Sequence, residues 1–411
     1  MASKSFALSR EFLRERCDYC GVCLNCCPVM ALPLDQARRE IKALAEGEPS
    51  CVLAECTGCM ACNGYCPTGA NPHTLILSRW GERCRKEGIP QRASLVLPYQ
   101  KPNLYTLLIE RLPESERALV NEWRENWLHP KDASMMIFAG CNLLLMPGMA
   151  DSKIFSGVPI FGAPELCCGE PLYRMGYWEA EQAVARHIQE AFRRIPVKTL
   201  IFPCLACLHI FKHVYKDVFD VTFDFEMISM EEWILNRIDR GEITVTPLNK
   251  RAVIHDNCWP KASGDVYFDL VRTLLDRLGV TVVEPEHTRE DALCCGMCAP
   301  AAQFRLRDAL RTAKVRLEEF EGADADMVID YCGGCDWLFA VARRLLFAKS
   351  AKPMYHLLDV VRMAAGEPPR HESPALAKAI VRTIGPRLAV SYMTPGRFHI
   401  RRIMDQPVQP L

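Results

Sequence analysis

Ala252-Val-Ile254, Cys258, Cys294-Cys295-Gly296, Met327-Val-Ile329 and Cys332-Gly-Gly-Cys335 run in one order: apolar strand-like run, lone cysteine, Cys-Cys-Gly, second apolar run, Cys-x-x-Cys. Met135-Met-Ile-Phe-Ala139, Cys141, Cys167-Cys168-Gly169, Thr199-Leu-Ile-Phe202 and Cys204-Leu-Ala-Cys207 repeat that order. Between the lone and the paired cysteines stand 35 residues in the later copy and 25 in the earlier one, and from the pair to Cys-x-x-Cys 36 and 35. An internal duplication is the economical reading. Helical patterns separate the runs, Glu179 to Phe192 in one copy and Ala301 to Leu310 in the other, with apolar residues three and four apart. Strands alternating with helices predict two α/β lobes. The likeness extends past the cysteines to two apolar-acidic helix starts, Ile228-Ser-Met-Glu-Glu-Trp-Ile and Tyr355-His-Leu-Leu-Asp-Val-Val.

Thiolates are soft ligands suited to zinc and iron–sulfur clusters, and five per lobe exceed the four of a mononuclear tetrahedral site. Adjacent cysteines can project onto two irons. The following Gly169 and Gly296 are read as giving the backbone a close approach to a bulky cluster.

The N-terminal region holds a different pattern. Cys17-Asp-Tyr-Cys20-Gly-Val-Cys23-Leu-Asn-Cys26-Cys27-Pro28 and Cys56-Thr-Gly-Cys59-Met-Ala-Cys62-Asn-Gly-Tyr-Cys66-Pro67 share the spacing C-x2-C-x2-C-x3-C-P. This resembles the two-cluster bacterial ferredoxins, in which the cysteine before proline ligates the other cluster. The resemblance implies Cys17, Cys20, Cys23 and Cys66 for one [4Fe–4S] cubane and Cys56, Cys59, Cys62 and Cys27 for the other. Zinc knuckles would instead pair two Cys-x-x-Cys units across a longer loop. Cys26, Cys51 and Cys84 have no partner spacing and stay outside the ligand sets.

The chain has 411 residues, 50 Lys plus Arg against 50 Asp plus Glu, and 49% hydrophobic residues. That suits several cores and gives no net field toward nucleic acid. Twenty-two cysteines make up about 5%, below the density of small disulfide-stapled secreted chains. The first residues lack a secretory pattern, and no run approaches the roughly 18 apolar residues of a membrane span. The expectation is a cytoplasmic protein, reaching the inner face of a membrane only through a partner. The boundaries read as 1–95 for the ferredoxin-like domain, 96–134 for a Pro- and charge-rich linker with a helix from Pro113, 135–248 and 249–365 for the lobes, and 366–411 for a tail with one helix around 375–384.

Together the motifs resemble the cysteine-rich CCG-domain proteins typified by the catalytic iron–sulfur subunit of heterodisulfide reductase. The second lobe satisfies the whole CCG spacing, and the first departs in its shorter initial gap. The resemblance implies a noncubane [4Fe–4S] cluster in one or both lobes, on Cys141, Cys167, Cys168, Cys204 and Cys207 and on Cys258, Cys294, Cys295, Cys332 and Cys335. These ten cysteines would reduce a disulfide held between the lobes, while the N-terminal cubanes feed in single electrons within an anaerobic electron-transfer complex. His209, His255 and Asp256 stand near ligands and are read as structural residues, with protonation of a product thiolate or a hydrogen bond to a cluster sulfur as the alternative. Cys298 is read as a packed bystander, with a further ligand or redox thiol as the alternative, and Trp259 and Trp337 as packing.

Two other functions stay open. One is a noncatalytic electron conduit like the iron–sulfur subunits of glycolate, lactate or glycerol-3-phosphate dehydrogenases or of larger anaerobic reductases. The other is a zinc-binding redox sensor or scaffold. No G-x-G-x-x-G follows a strand, so electrons would enter from a flavoprotein or membrane cytochrome partner.

Overall fold

Two four-stranded parallel sheets of the same topology carry the duplicated sequence. The computed structural model describes residues 6, 11–97, 102–130, 133–298, 305–346, 352–393 and 396–399. In the first lobe β1 (Met135–Phe138), β2 (Ile160–Phe161), β3 (Thr199–Phe202) and β4 (Glu226–Ser229) lie in the order β2-β1-β3-β4. In the second, β5 (Lys250–His255), β6 (Val280–Val283), β7 (Met327–Asp330) and β8 (Met354–His356) lie in the order β6-β5-β7-β8. Register equates the copies: Met135 pairs Thr199 as Ala252 pairs Met327. Cys141 therefore corresponds to Cys258, each three residues beyond its strand, and Cys204 to Cys332, each two beyond.

The central strands are apolar because helices cover both faces of a parallel sheet. In the first lobe Phe138 packs at 5.4–6.2 Å from Phe161, Phe192, Phe202 and Phe211. Its counterpart in the second lobe is His255, set edge-on to Phe320 and Phe339. The edge strands β4 and β8 feed helices Met230–Asp239 and Leu357–Ala364, capped by Ser229 and His356, whose side chains accept from Glu232 N and Leu358 N at 3.1 and 3.2 Å. Those caps explain the two matching helix starts in the sequence.

The helix expected at Glu179–Phe192 spans Trp178–Phe192. The one expected at 301–310 is observed as Leu306–Gly322, and residues 301–304 lie outside the described residues. After Cys207 the helix continues over Ile210–Val218 in π form, a wider turn often found at functional sites, whereas its counterpart Gly333–Leu345 is a regular α-helix.

The N-terminal region is helical and cysteine-rich, with Leu34–Glu46 and Pro72–Glu87 as its longer helices. In the linker, Glu114–Leu128 packs along β2: Asn126 Nδ2 donates to the Ile160 carbonyl at 2.9 Å and Gly162 N to the Trp123 carbonyl at 3.3 Å. The tail helix runs over Ser373–Met393, longer than expected, and packs on Gly333–Leu345 of the second lobe. Residues 400–411 lie outside the described residues. A two-residue ladder, Ile89–Pro90 with Arg397–Phe398, ties the tail to the N-terminal region. Among the described residues, no helix is long and apolar enough to cross a membrane.

Candidate functional site

Short turns and single helical turns deliver the N-terminal cysteines. Gly21 and Met60, both at positive φ, start the one-turn helices Val22–Asn25 and Ala61–Tyr65 that carry Cys23 and Cys62. Cys17, Cys20, Cys23 and Cys66 line one cavity. Burial raises the pKa of Cys17, Cys20 and Cys23, and the negative charge of Cys66 adds to each. Cys27, Cys56, Cys59 and Cys62 form a second, deeper group: burial is again the largest cause of the rise at Cys27, Cys56 and Cys62, with Cys59 and Cys27 among the charges that add to it. The two motifs thus exchange their fourth cysteines in space. Of the three spare cysteines, Cys84 is buried, Cys51 half-buried and Cys26 exposed.

In the first lobe all five cysteines converge. Cys207 Sγ is 3.4 Å from Cys168 Sγ, Cys141 hydrogen-bonds Cys167, and Cys204 is held below the usual thiol range by a hydrogen bond from Cys207. Tyr105, brought from the linker by the short helix Leu104–Ile109, covers the group and hydrogen-bonds Cys141. Tyr215 OH donates to the Cys168 carbonyl at 2.7 Å.

The second lobe gathers six. Cys295 is pulled well below the usual thiol range by hydrogen bonds from Cys294 and Cys335. Cys258 is lowered to about 7, first by a hydrogen bond from Cys298 and then by Arg174. The second lobe's Cys298 therefore belongs to the sulfur group. The His255 ring and the sulfurs of Cys295 and Cys335 present ligand atoms within 4.8 Å of one another. Arg316 Nε donates to His255 Nδ1 at 3.3 Å, which leaves the ring proton on Nε2, the nitrogen free to face Cys295.

A cleft opens between the lobes. All six second-lobe cysteines line it, with Cys204 the first-lobe cysteine on its wall, and Asn142, Glu170, His255, Trp259 and Met297 are among the other lining residues. The charges of Cys204 and Cys332 act on one another across it.

The deeper N-terminal group abuts the second lobe. Cys294 Sγ lies 3.9 Å from the Thr57 carbonyl, and the charge of Cys59 acts on Cys294. Lys261 of the second lobe, its Nζ donating to the Ala292 carbonyl at 2.8 Å, acts on Cys27.

A family model described as a cysteine-rich domain, CCG, matches residues 152–212 and 252–340. The lobes are CCG cysteine-rich domains. The first matched segment begins after Cys141, yet the strand register places Cys141 where Cys258 stands, so the short gap shortens a loop and leaves the cysteine in the group.

The chain is related over most of its length to one of the subunits of heterodisulfide reductase. In Methanosarcina mazei this relative belongs to the dihydromethanophenazine:CoB–CoM heterodisulfide reductase, and the two are 25% identical over 78% of this chain and 87% of that protein. Against the Methanosarcina barkeri counterpart the figures are 24%, 86% and 94%. An EtfAB:quinone oxidoreductase of Syntrophomonas wolfei is 21% identical over 75% of this chain and 46% of that protein.

Around the CCG sites the other candidates take structural places. His209 has Nδ1 at 2.9 Å from the Leu205 carbonyl and Nε2 at 2.9 Å from Ser263 Oγ, linking the lobes, and burial lowers its pKa to about 4. Asp256 is buried, but Arg272 at 2.8 Å and Tyr331 at 2.8 Å hold its carboxyl below the usual range, so it is a fixed anion. Trp337 Nε1 donates to Asn142 Oδ1 across the lobes at 3.2 Å.

The glycines of both Cys-Cys-Gly motifs use a backbone conformation that favours glycine. Gly169 and Gly296 adopt φ of +82° and +104°, and a Cβ on Gly296 would strike the Ala309 carbonyl. At Gly296 there is thus a close approach to the backbone of helix Leu306–Gly322. Sequence reading missed Tyr105 and Arg174, since neither belongs to a cysteine motif.

The donor sets fit iron–sulfur clusters. Each consists of soft thiols alone or thiols with one imidazole, donors suited to iron, gathered in four groups, and the lobe groups exceed the need of a single zinc ion.

Proposed function

We propose that this chain is an iron–sulfur oxidoreductase of the heterodisulfide reductase type. In this reading electrons enter at the N-terminal cysteines and leave, in the cleft between the CCG lobes, to a disulfide. The observation that carries the reading is the cleft itself, where the six second-lobe cysteines and Cys204 of the first lobe share one wall. Clusters bound at the four cysteine groups would supply one-electron storage and, in the lobes, iron able to take a sulfur ligand.

The chain's own residues supply the rest. Cys17, Cys20, Cys23 and Cys66 would hold the outer cubane, near the surface, and Cys27, Cys56, Cys59 and Cys62 the inner one, against the second lobe. Cys258, Cys294, Cys295, Cys332 and Cys335 would hold a noncubane cluster, and Cys141, Cys167, Cys168, Cys204 and Cys207 another. His255 Nε2 is buried without a hydrogen-bond partner, and the ring lies beside Cys295 and Cys335, where it would donate to a sulfur and favour added negative charge there. Trp259 and Met297 keep part of the cleft wall apolar. The half-exposed Cys17, Cys20 and Cys66 give a flavoprotein or cytochrome partner a place to deliver electrons.

The test is anaerobic. The chain is reconstituted with iron and sulfide, reduced, and mixed with cystamine or bis(2-hydroxyethyl) disulfide while its electron paramagnetic resonance is followed. Reoxidation with release of two thiols per disulfide supports the reading. Signals that ignore both disulfides select the electron conduit, and zinc in place of iron selects the scaffold.

A further inference from the structure

Arg174 spends its three guanidinium nitrogens on three parts of the molecule. It closes the short helix Glu170–Arg174 that follows the first Cys-Cys-Gly. Its Nε donates to Glu170 Oε1 at 2.8 Å, one terminal nitrogen donates to the Gly58 carbonyl, and the other lies 3.2 Å from Cys258 Sγ. Its guanidinium also covers the Trp259 ring, 4.6 Å from the centroid. Burial works against its charge, but Cys298, Cys258 and Glu170 hold its pKa well above the usual arginine value. A first-lobe residue thus places a permanent positive charge at the junction of the inner N-terminal group and the second-lobe group. Counted from the second Cys-Cys-Gly, the equivalent position is Ala301, an uncharged residue.

We propose that the Arg174–Glu170 pair sets the redox potential of the second-lobe site relative to the first, with Arg174 as a positioning residue that makes this site the electron acceptor next to the inner N-terminal group. The inference rests on the iron–sulfur reading of that lobe. Each electron added there is a negative charge, and a buried cation at hydrogen-bond distance from a ligand sulfur stabilises it far more than a solvated one would. Glu170 offsets part of that field, being an anion paired to the same guanidinium. The two side chains therefore act on the site with opposite signs. Arg174 also fixes the Gly58 carbonyl, so the loop carrying Cys56 and Cys59 and the sulfur of Cys258 share one rigid anchor.

The test is a redox titration followed by electron paramagnetic resonance on the full reconstituted chain, with the second-lobe signal identified by its loss in Cys335→Ser. Arg174→Gln is expected to lower the midpoint of that signal and Glu170→Gln to raise it, while the outer N-terminal signal stays in place. Arg174→Lys, which keeps the charge with fewer donors, is expected to recover part of the shift. Midpoints that do not move with iron content retained, or that move the same way in both Gln variants, overturn the proposal. If Arg174→Gln fails to fold, Glu170→Gln alone decides by the sign of its shift. Absence of a second-lobe signal in the unaltered chain overturns the iron–sulfur reading of the lobe and this proposal with it.

Discussion

Gly81 and Gly176 meet backbone to backbone: a Cβ on Gly81 would stand 2.5 Å from the Gly176 carbonyl oxygen, and one on Gly176 would strike the Leu77 carbonyl. Arg85 donates to the same Gly176 carbonyl at 3.0 Å. The N-terminal helix Pro72–Glu87 is thereby seated on the first lobe a short way beyond Arg174. Alanine in place of a mid-helix glycine ordinarily stabilises by about 1 kcal/mol. Here Gly81→Ala is expected to destabilise by about 1–3 kcal/mol, because the contact is with rigid backbone. Chemical denaturation of the variant gives the sign, and a gain in stability would refute the packing.

Gly296→Ala is expected to cost at least about 2 kcal/mol, since it adds a left-handed backbone penalty to a collision with the Ala309 carbonyl. The damage should centre on the second lobe. Hydrogen exchange would show it as lost protection in Leu306–Gly322 and β7, and uniform protection would contradict the prediction.

His255→Phe copies the first lobe, where Phe138 fills the equivalent place. Arg316 keeps the His287 carbonyl at 2.8 Å and Glu319 at 2.5 Å, so the fold should survive. Loss of the imidazole beside Cys295 and Cys335 is expected to weaken metal retention by the second lobe about 10–100-fold. A chelator competition reads this directly, and wild-type retention would remove His255 from the site.

Glu231 and Tyr267 join the lobes in a buried hydrogen bond of 2.5 Å. Burial raises the Glu231 pKa from 4.5 to about 7. The folded state holds this proton more tightly than the unfolded one, so the group's stability contribution is greatest below about pH 4.5 and falls as the pH climbs to about 7. The loss is roughly 3 kcal/mol. Unfolding of wild type and Glu231→Gln at pH 5 and pH 8 should differ most at pH 8, with the variant gaining there. Equal pH dependence in the two proteins would refute the burial of a titrating carboxyl.

Much of the architecture was legible because cysteine spacing and apolar runs are local. The runs at Met135, Thr199, Ala252 and Met327 became the central strands, and the two capped helix starts marked the ends of both lobes. The edge strands escaped notice: Ile160–Phe161 is two residues long, and Val280–Val283 is four residues with only Val280 buried, too short for periodicity to separate from its surroundings. Tyr105 sits in a linker whose chemistry appears only once it covers Cys141.

By itself the sequence determined the cysteine motifs, the duplication and the alternation of strand and helix, because ligand spacing and hydrophobic period are properties of short segments; the tertiary structure added Cys298 to the second-lobe group. Only the tertiary structure decided which groups are neighbours: Cys59 beside Cys294, Cys204 across from Cys332, and Arg174 of the first lobe at Cys258 of the second. Those proximities arise from backbone packing at Gly81 and Gly176 and from lobe docking. No local pattern records how far apart distant segments will lie when their apolar faces are buried together.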